Sequence, residues 1–309
     1  MKLISENLHI ISKSIKEAVL NRDEKFIKDL LSKQIATNPD WIDLNIGPAK
    51  GGFSGTMEWL VNLVNNITEI PISFDSTNII EIENGLKLLQ NTNNCIINST
   101  SADEEKLEKI TNLVCEYGCN LIALTMNSEI GIPKEADGRL ELAFNINSVT
   151  ESKGIENEKI YFDPLILPIC VDQRQSVEAL NTIRMLKESF EPTVNTTIGL
   201  SNVSNGCPKE LRPLINRVFM VLAMGCGLDS AIVDSFDTEL LRINKMIETQ
   251  IPEKDYDNTY LSIYNMMQNF DDIESIEYDK QNKQQISIYK TAEIILNKKV
   301  YTNSYLEIN

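Results

Sequence analysis

A (β/α)8 barrel is the α/β fold class that the sequence predicts, and three observations predict it. Short β-branched and aromatic runs alternate about eight times with segments of helical periodicity along the 309 residues. The units are of near-equal length, which favours a closed barrel over an open, doubly wound sheet. Four apolar runs deliver a carboxylate or an amide at their ends: Ile70-Pro71-Ile72-Ser73-Phe74-Asp75, Cys95-Ile96-Ile97-Asn98, Ile160-Tyr161-Phe162-Asp163 and Thr197-Ile198-Gly199-Leu200-Ser201-Asn202. Pro164 cannot donate to a sheet ladder, so the third of these strands should stop at Asp163. Alone, Asp163 reads as a turn aspartate. Together the four ends describe a polar pocket, because strand C-termini and the loops after them form the site of a barrel.

In chain order, Leu3-Ile4 opens a first strand. Ile15, Ala18, Val19, Phe26, Ile27, Leu30 and Leu31 recur at helical spacing and predict one helix over 12–36, broken by Asn38-Pro39-Asp40. Trp41-Ile42-Asp43-Leu44-Asn45-Ile46-Gly47 alternates as a strand, and Gly51, Gly52 and Gly55 make a loop before a helix over 57–67. A helix over 79–90 follows Asp75. Asp103, Glu104 and Glu105 place carboxylates at the next helix start, where the dipole favours them, and Gly118 stops that helix. Asn120-Leu121-Ile122-Ala123-Leu124-Thr125-Met126 is a strand, 130–138 a loop and 139–153 a helix. After Asp163 come a helix over 173–190, the strand reaching Asn202, a helix over 211–225, the strand Ser230-Ala231-Ile232-Val233-Asp234, and a helix from about Thr238. Residues 251–285 break the rhythm with Asp, Glu, Asn and Gln among Tyr256, Tyr260, Tyr264 and Phe270; they read as a small helical insertion or a mobile arm. A helix over 289–300 completes the outer ring. The expectation is one domain over 1–309 with an acidic insertion at about 251–285.

The net charge of −16 argues against a nucleic-acid surface. No apolar run reaches 18 residues, and the first residues carry no apolar signal core, so a cytoplasmic protein without a membrane span is expected. Cys95, Cys115, Cys119, Cys170, Cys207 and Cys226 form no Cys-x-x-Cys pair, and His9 is the sole histidine. Cys115 and Cys119 read as packing on one helix. No clustered zinc-ligand set is present, so free buried thiols and no protein-bound metal are expected. Ser/His/Asp and Cys/His arrangements, the P-loop and G-x-G-x-x-G are all missing. Asp75 and Asp163 could pair for glycoside hydrolysis, but the neighbouring asparagines fit that less well. Carboxylates accept N–H groups from a guanidine-like edge, and asparagine both donates and accepts, so the set suits a nitrogen heterocycle.

Ordered segments carry a resemblance. Asp43-Leu44-Asn45-Ile46-Gly47-Pro48-Ala49, Met57-Glu58-Trp59-Leu60-Val61, Phe74-Asp75-Ser76-Thr77-Asn78, Ile97-Asn98-Ser99-Thr100, Leu124-Thr125-Met126-Asn127 and Gly131-Ile132-Pro133-Lys134 begin it. Asp163-Pro164-Leu165-Ile166-Leu167-Pro168, Gly199-Leu200-Ser201-Asn202-Val203-Ser204, Arg212-Pro213-Leu214-Ile215-Asn216-Arg217 and Cys226-Gly227-Leu228-Asp229 complete it. The chain resembles the pterin-binding methyltransferases over roughly 40–240. The likeness is greatest to the methyltetrahydrofolate:corrinoid/iron-sulfur protein methyltransferases of the acetyl-CoA pathway.

The resemblance implies a pterin-binding TIM barrel, a homodimer, that moves the N5 methyl group between methyltetrahydrofolate and a corrinoid (cobalamin) on a partner protein. It implies that Asp75, Asn98 and Asp163 hold the pterin, that Asn202 bonds near N5, and that Asn205 and Arg212 contribute to binding. Asn202 and Asp163 would be the catalytic pair. The family's opening Gly-Glu-Arg-Ile-Asn is here Ser5-Glu6-Asn7-Leu8-His9, expected as a loop bordering the site. Two alternatives are a dihydropteroate synthase-like enzyme, which typically carries Ser-Arg-Lys where this chain has Ser201-Asn202-Val203, and a non-catalytic pterin-binding subunit.

Overall fold

The structure, a computed structural model, describes residues 1–306. Its strands are β1 (Lys2–His9), β2 (Trp41–Gly47), β3 (Ile72–Ser76), β4 (Ile96–Thr100), β5 (Asn120–Leu124), β6 (Ile160–Asp163), β7 (Asn195–Thr196) and β8 (Ser230–Val233). All pair in parallel in the order β7-β6-β5-β4-β3-β2-β1-β8. The two edges meet, since the Ile232 N–H donates to Ile198 O at 2.8 Å and the Thr196 N–H to Asp229 Oδ2 at 2.8 Å. The sheet is thus a nearly closed TIM barrel. The crossovers are helical: α1 (Lys13–Leu20), α2 (Glu24–Ile35), α3 (Thr56–Asn65), α4 (Ile79–Leu86), α5 (Glu104–Tyr117), α6 (Ala136–Ser152), α7 (Arg174–Ser189), α8 (Arg212–Gly225) and α9 (Thr238–Thr249).

Side chains alternate across each strand, and this sorts the barrel into layers. Leu44, Phe74, Ile97, Leu121 and Phe162 face outward and are buried under the helices. Ile4, Trp41, Ile96, Ile122 and Tyr161 converge inside the barrel as an apolar floor. The Trp41 and Tyr161 rings meet edge-on at 6.0 Å. Two residues further along the same strands stand Glu6, Asp43, Asn98, Leu124 and Asp163. The polar layer therefore rests directly on a dry floor.

Several sequence expectations are corrected. The helix over 12–36 is two helices. Arg22 turns the chain at φ 52° and the Asp23 side chain accepts the Phe26 N–H at 3.1 Å to cap α2. Helical spacing runs across that break because α1 and α2 press the same side toward the sheet. The altered Ser5-Glu6-Asn7-Leu8-His9 stretch is strand, not loop, inside β1. The seventh strand ends at Thr196; Leu200–Ser204 is a 3-10 turn, so Asn202 lies beyond the strand rather than at its end. Cys119 falls after α5, and Cys115 and Cys170 are exposed rather than buried. Within 251–285, α10 (Asp257–Asn269) docks on α8 with Tyr260, Ile263, Met266 and Met267 buried, and α11 (Lys283–Ile295) follows.

Candidate active site

Parallel register sets the inner wall. Asp43 pairs with Ser73, Asn45 with Asp75, and Asp75 with Asn98 across β2, β3 and β4. Ser73 Oγ donates to Asp43 Oδ1 at 2.6 Å and Asn98 Nδ2 to the same oxygen at 3.4 Å, while Asn45 Nδ2 donates to Asp75. On β6, Asp163 Oδ1 accepts the Leu165 N–H at 2.7 Å, with Leu165 turned to φ 62°. Thr125 donates both its N–H and its hydroxyl to Asp163 O at 3.1 Å, joining the ends of β5 and β6. From β1, Glu6 receives the Ser201 hydroxyl at 3.4 Å, which draws the turn carrying Asn202 over the mouth. Asn7 Nδ2 donates to Asp234 Oδ1 at 2.6 Å, completing the rim at β8.

Burial governs the electrostatics. It pushes the Glu6 carboxyl up to about 7, with the Ser201 bond opposing and the Asp43 and Asp234 charges adding. It pushes Asp43 up to about 6 against the bonds from Ser73 and Asn98, and Asp163 to about 6 against the Leu165 N–H and the Arg139 charge. Asp75 is raised well above the carboxylate range by burial and by the neighbouring Asp43. Lys106, on α5, is lowered by its own burial, with Asp103 and Asp75 opposing. Arg139 lies fully buried, donates to Pro133 O and Gln175, and leaves Nη1 without a partner among the described residues. The mouth is therefore rich in acids whose carboxyls burial raises, with few cations to match. Such a wall suits a ligand that brings N–H donors.

The structure brings Asp75, Asn98 and Asp163 to this one mouth. Asn202 is exposed on its turn with no side-chain hydrogen bond among the described residues, and its Nδ2 lies 2.8 Å from the position a Cβ on Gly199 would take. A side chain at 199 would displace it. Asn205 is exposed and its backbone carbonyl accepts the Cys170 S–H; Arg212 Nε donates to Cys207 O at 2.8 Å. Neither side chain bonds the carboxylate cluster. Sequence reasoning assigned no role to Glu6, Asp43 or Lys106. The polar–apolar alternation of Trp41-Ile42-Asp43 could have placed Asp43 on the inner face. Among the described residues no group of three His, Cys, Asp or Glu is placed to hold a metal ion, and no helix is long and apolar enough to cross a membrane.

Fold and site together define a TIM barrel whose mouth gathers buried carboxylates and an amide. The profile of the family described as pterin binding enzyme matches residues 27–234, and the chain belongs to that family. It is 31% identical over 249 residues to the methionine synthases of Mycobacterium leprae (strain TN) and Mycobacterium tuberculosis (strain ATCC 25618 / H37Rv), across 77% of this chain and 20% of each of those. The chain thus spans about a fifth of their length. It is 26% identical over 243 residues to the methylcorrinoid:tetrahydrofolate methyltransferase of Eubacterium limosum, across 78% of this chain and 88% of that one. The crystal structure of the Yersinia pestis dihydropteroate synthase superposes with a TM-score of 0.56 at 14% identity, covering 80% of this chain and 93% of that one, a likeness of fold.

Proposed function

We propose that the chain moves the N5 methyl group between methyltetrahydrofolate and the cobalt of a corrinoid carried by a partner protein. The observation that carries this reading is the layer of Glu6, Asp43, Asp75, Asn98 and Asp163, acids and an amide held over an apolar floor. The 2-amino-4-oxo edge of a folate pterin presents N–H donors that ionised Asp75 and Asp163 would accept, with Asn98 reading a mixed donor–acceptor edge. Binding would draw these carboxyls toward their charged form.

Asn202 supports the transfer step. Its side chain has no partner within the described residues and sits beside Ser201, which bonds Glu6. A tertiary amine leaves poorly, so N5 must gain positive character before its methyl group departs. The Asn202 amide can accept from a protonated N5 and donate elsewhere, and Glu6, at about 7, can hold the proton nearby. The corrinoid supplies a Co(I) nucleophile. This chain has no Asp-x-His-x-x-Gly segment to hold one, and His9 is its sole histidine.

A partner is supported by the rim itself. Ile11, Ile80, Ile130, Val171 and Phe236 are exposed large apolar residues, and they follow β1, β3, β5, β6 and β8 around the mouth. The Eubacterium limosum relative, a methylcorrinoid:tetrahydrofolate methyltransferase, is named for the same donor and acceptor pair. The working unit in this reading is a homodimer docked on a corrinoid protein, which light scattering of the two together tests.

The deciding experiment is single-turnover transfer between methyltetrahydrofolate and free Co(I) cobalamin, followed by the corrinoid spectrum. Wild-type protein should transfer, and Asn202→Ala should slow transfer about tenfold or more while changing affinity less. No transfer in either direction by the folded wild-type protein would sink the proposal.

A further inference from the structure

We propose that Cys170 and Cys207 form a reversible dithiol–disulfide site beside the barrel mouth, oxidised by a hydroperoxide. Cys170 lies in the loop between β6 and α7. Cys207 lies just beyond the turn that carries Asn202 and Asn205. The two segments run against each other: the Ile169 N–H donates to Val203 O at 3.0 Å, and the Cys170 thiol donates to Asn205 O at 3.2 Å. A Cβ on Gly206 would stand 3.1 Å from Cys170 Sγ, so the sulfur rests on the residue directly before Cys207. Burial raises the Cys207 thiol, and the neighbouring Cys170 adds to that rise.

Exposure assigns the roles. Cys170 is open to solvent, while Cys207 is 2% exposed. The Cys170 thiol gives up its proton, its sulfur attacks one oxygen of hydrogen peroxide, the O–O bond breaks, and the departing hydroxide takes up that proton and leaves as water while Cys170 becomes a sulfenic acid. The Cys207 sulfur then attacks the Cys170 sulfur and expels hydroxide, which leaves as water with the Cys207 proton. Two thiols and one peroxide give one disulfide and two waters. The chain contains its own comparisons. Cys95 and Cys119 also neighbour each other, but both are buried away from an oxidant. The disulfide would replace the bond from the Cys170 thiol to Asn205 O and staple the β6–α7 loop to the Asn202 turn.

The test uses the full reduced chain, treated with a few equivalents of hydrogen peroxide. Intact mass should fall by two hydrogens, a non-reduced digest should contain a Cys170–Cys207 peptide, and dithiothreitol should reverse both. The melting midpoint should rise by several degrees on oxidation and return on reduction. Cys170→Ser should abolish the bridge, and Cys207→Ala should leave a sulfenic acid at Cys170 that dimedone traps. Sulfinic acid at Cys170 with Cys207 still a thiol, a bridge between other cysteines, or an unshifted midpoint would overturn the site. No readout depends on methyl transfer, so its failure is distinct from failure of the proposed activity.

Discussion

Asp43 is 1% exposed, and burial holds its carboxyl at about 6 against an ordinary 3.8. The folded chain therefore binds this proton more tightly than the unfolded one. Its contribution to stability is full below about 4 and is lost as pH rises through about 6. Asp43→Asn keeps an oxygen to accept from Ser73 and removes the need to bury a charge. It should raise the unliganded protein's stability by about 1–3 kcal/mol at alkaline pH, with the gain vanishing toward pH ~4, as urea melts across the pH range would record. A pH-independent difference would mean that Asp43 is not held near neutrality. Asp75→Ala should weaken methyltetrahydrofolate binding by roughly 1–3 kcal/mol, read by calorimetry; unchanged affinity would remove Asp75 from the grip. Glu6, at about 7, sets a third expectation. Transfer from methyltetrahydrofolate should fall as pH rises through about 7, and Glu6→Gln should lack that limb of the profile.

At the scale of elements, α10 shows how the acidic segment joins the barrel. Its Asp257 is fully buried and accepts two bonds from Arg242 of α9, at 2.6 and 2.7 Å, plus the N–H groups of Glu253 and Lys254. Glu239 receives Arg242, Lys254 and the Tyr256 hydroxyl, and this holds its carboxyl down at about 2. Gly225 at the end of α8 lets α10 come close, because a Cβ there would stand 2.6 Å from Met267 Cβ and 2.7 Å from Tyr264 O. Gly225→Ala should cost about 1–3 kcal/mol through that overlap. Asp257→Ala leaves Arg242 with Glu239 but orphans the Glu253 and Lys254 N–H groups, and should cost about 1–3 kcal/mol. Denaturant unfolding measures both, and proteolysis near 251–256 should report loss of Asp257 first. A neutral Asp257→Ala would mean that α10 is held by its apolar face alone.

For the whole molecule, the decisive contact is the seam between β7 and β8. Asp229 receives the Thr196 N–H at 2.8 Å, the Thr196 hydroxyl at 3.1 Å and Lys187 Nζ at 3.0 Å, so one carboxylate bridges the seam. Asp229→Ala leaves these donors unmatched and should destabilise the barrel by about 1–3 kcal/mol with an unchanged denaturant slope. A lower slope would show instead that the seam opens in the native state.

The sequence by itself determined the strand–helix rhythm and the barrel class, because period-2 and period-3.6 patterns are local consequences of backbone geometry. It also made Asp75, Asn98 and Asp163 legible, since each closes an apolar run. The tertiary structure decided what local pattern cannot carry. Glu6 was hidden because the pairing of β1 with β2 shifts register between Ser5 and Leu8, which disturbs the alternation around it. The break at Arg22 was hidden because the apolar spacing continues through it. Asn202 was placed at a strand end because Thr197-Ile198 reads as strand, whereas the ladder that would extend it stops at Thr196. Above all, the raised carboxyls of Glu6, Asp43, Asp75 and Asp163 arise only when β1, β2, β3 and β6 close around one dry floor. Burial of charge is a property of that closure, set by residues far apart in the chain.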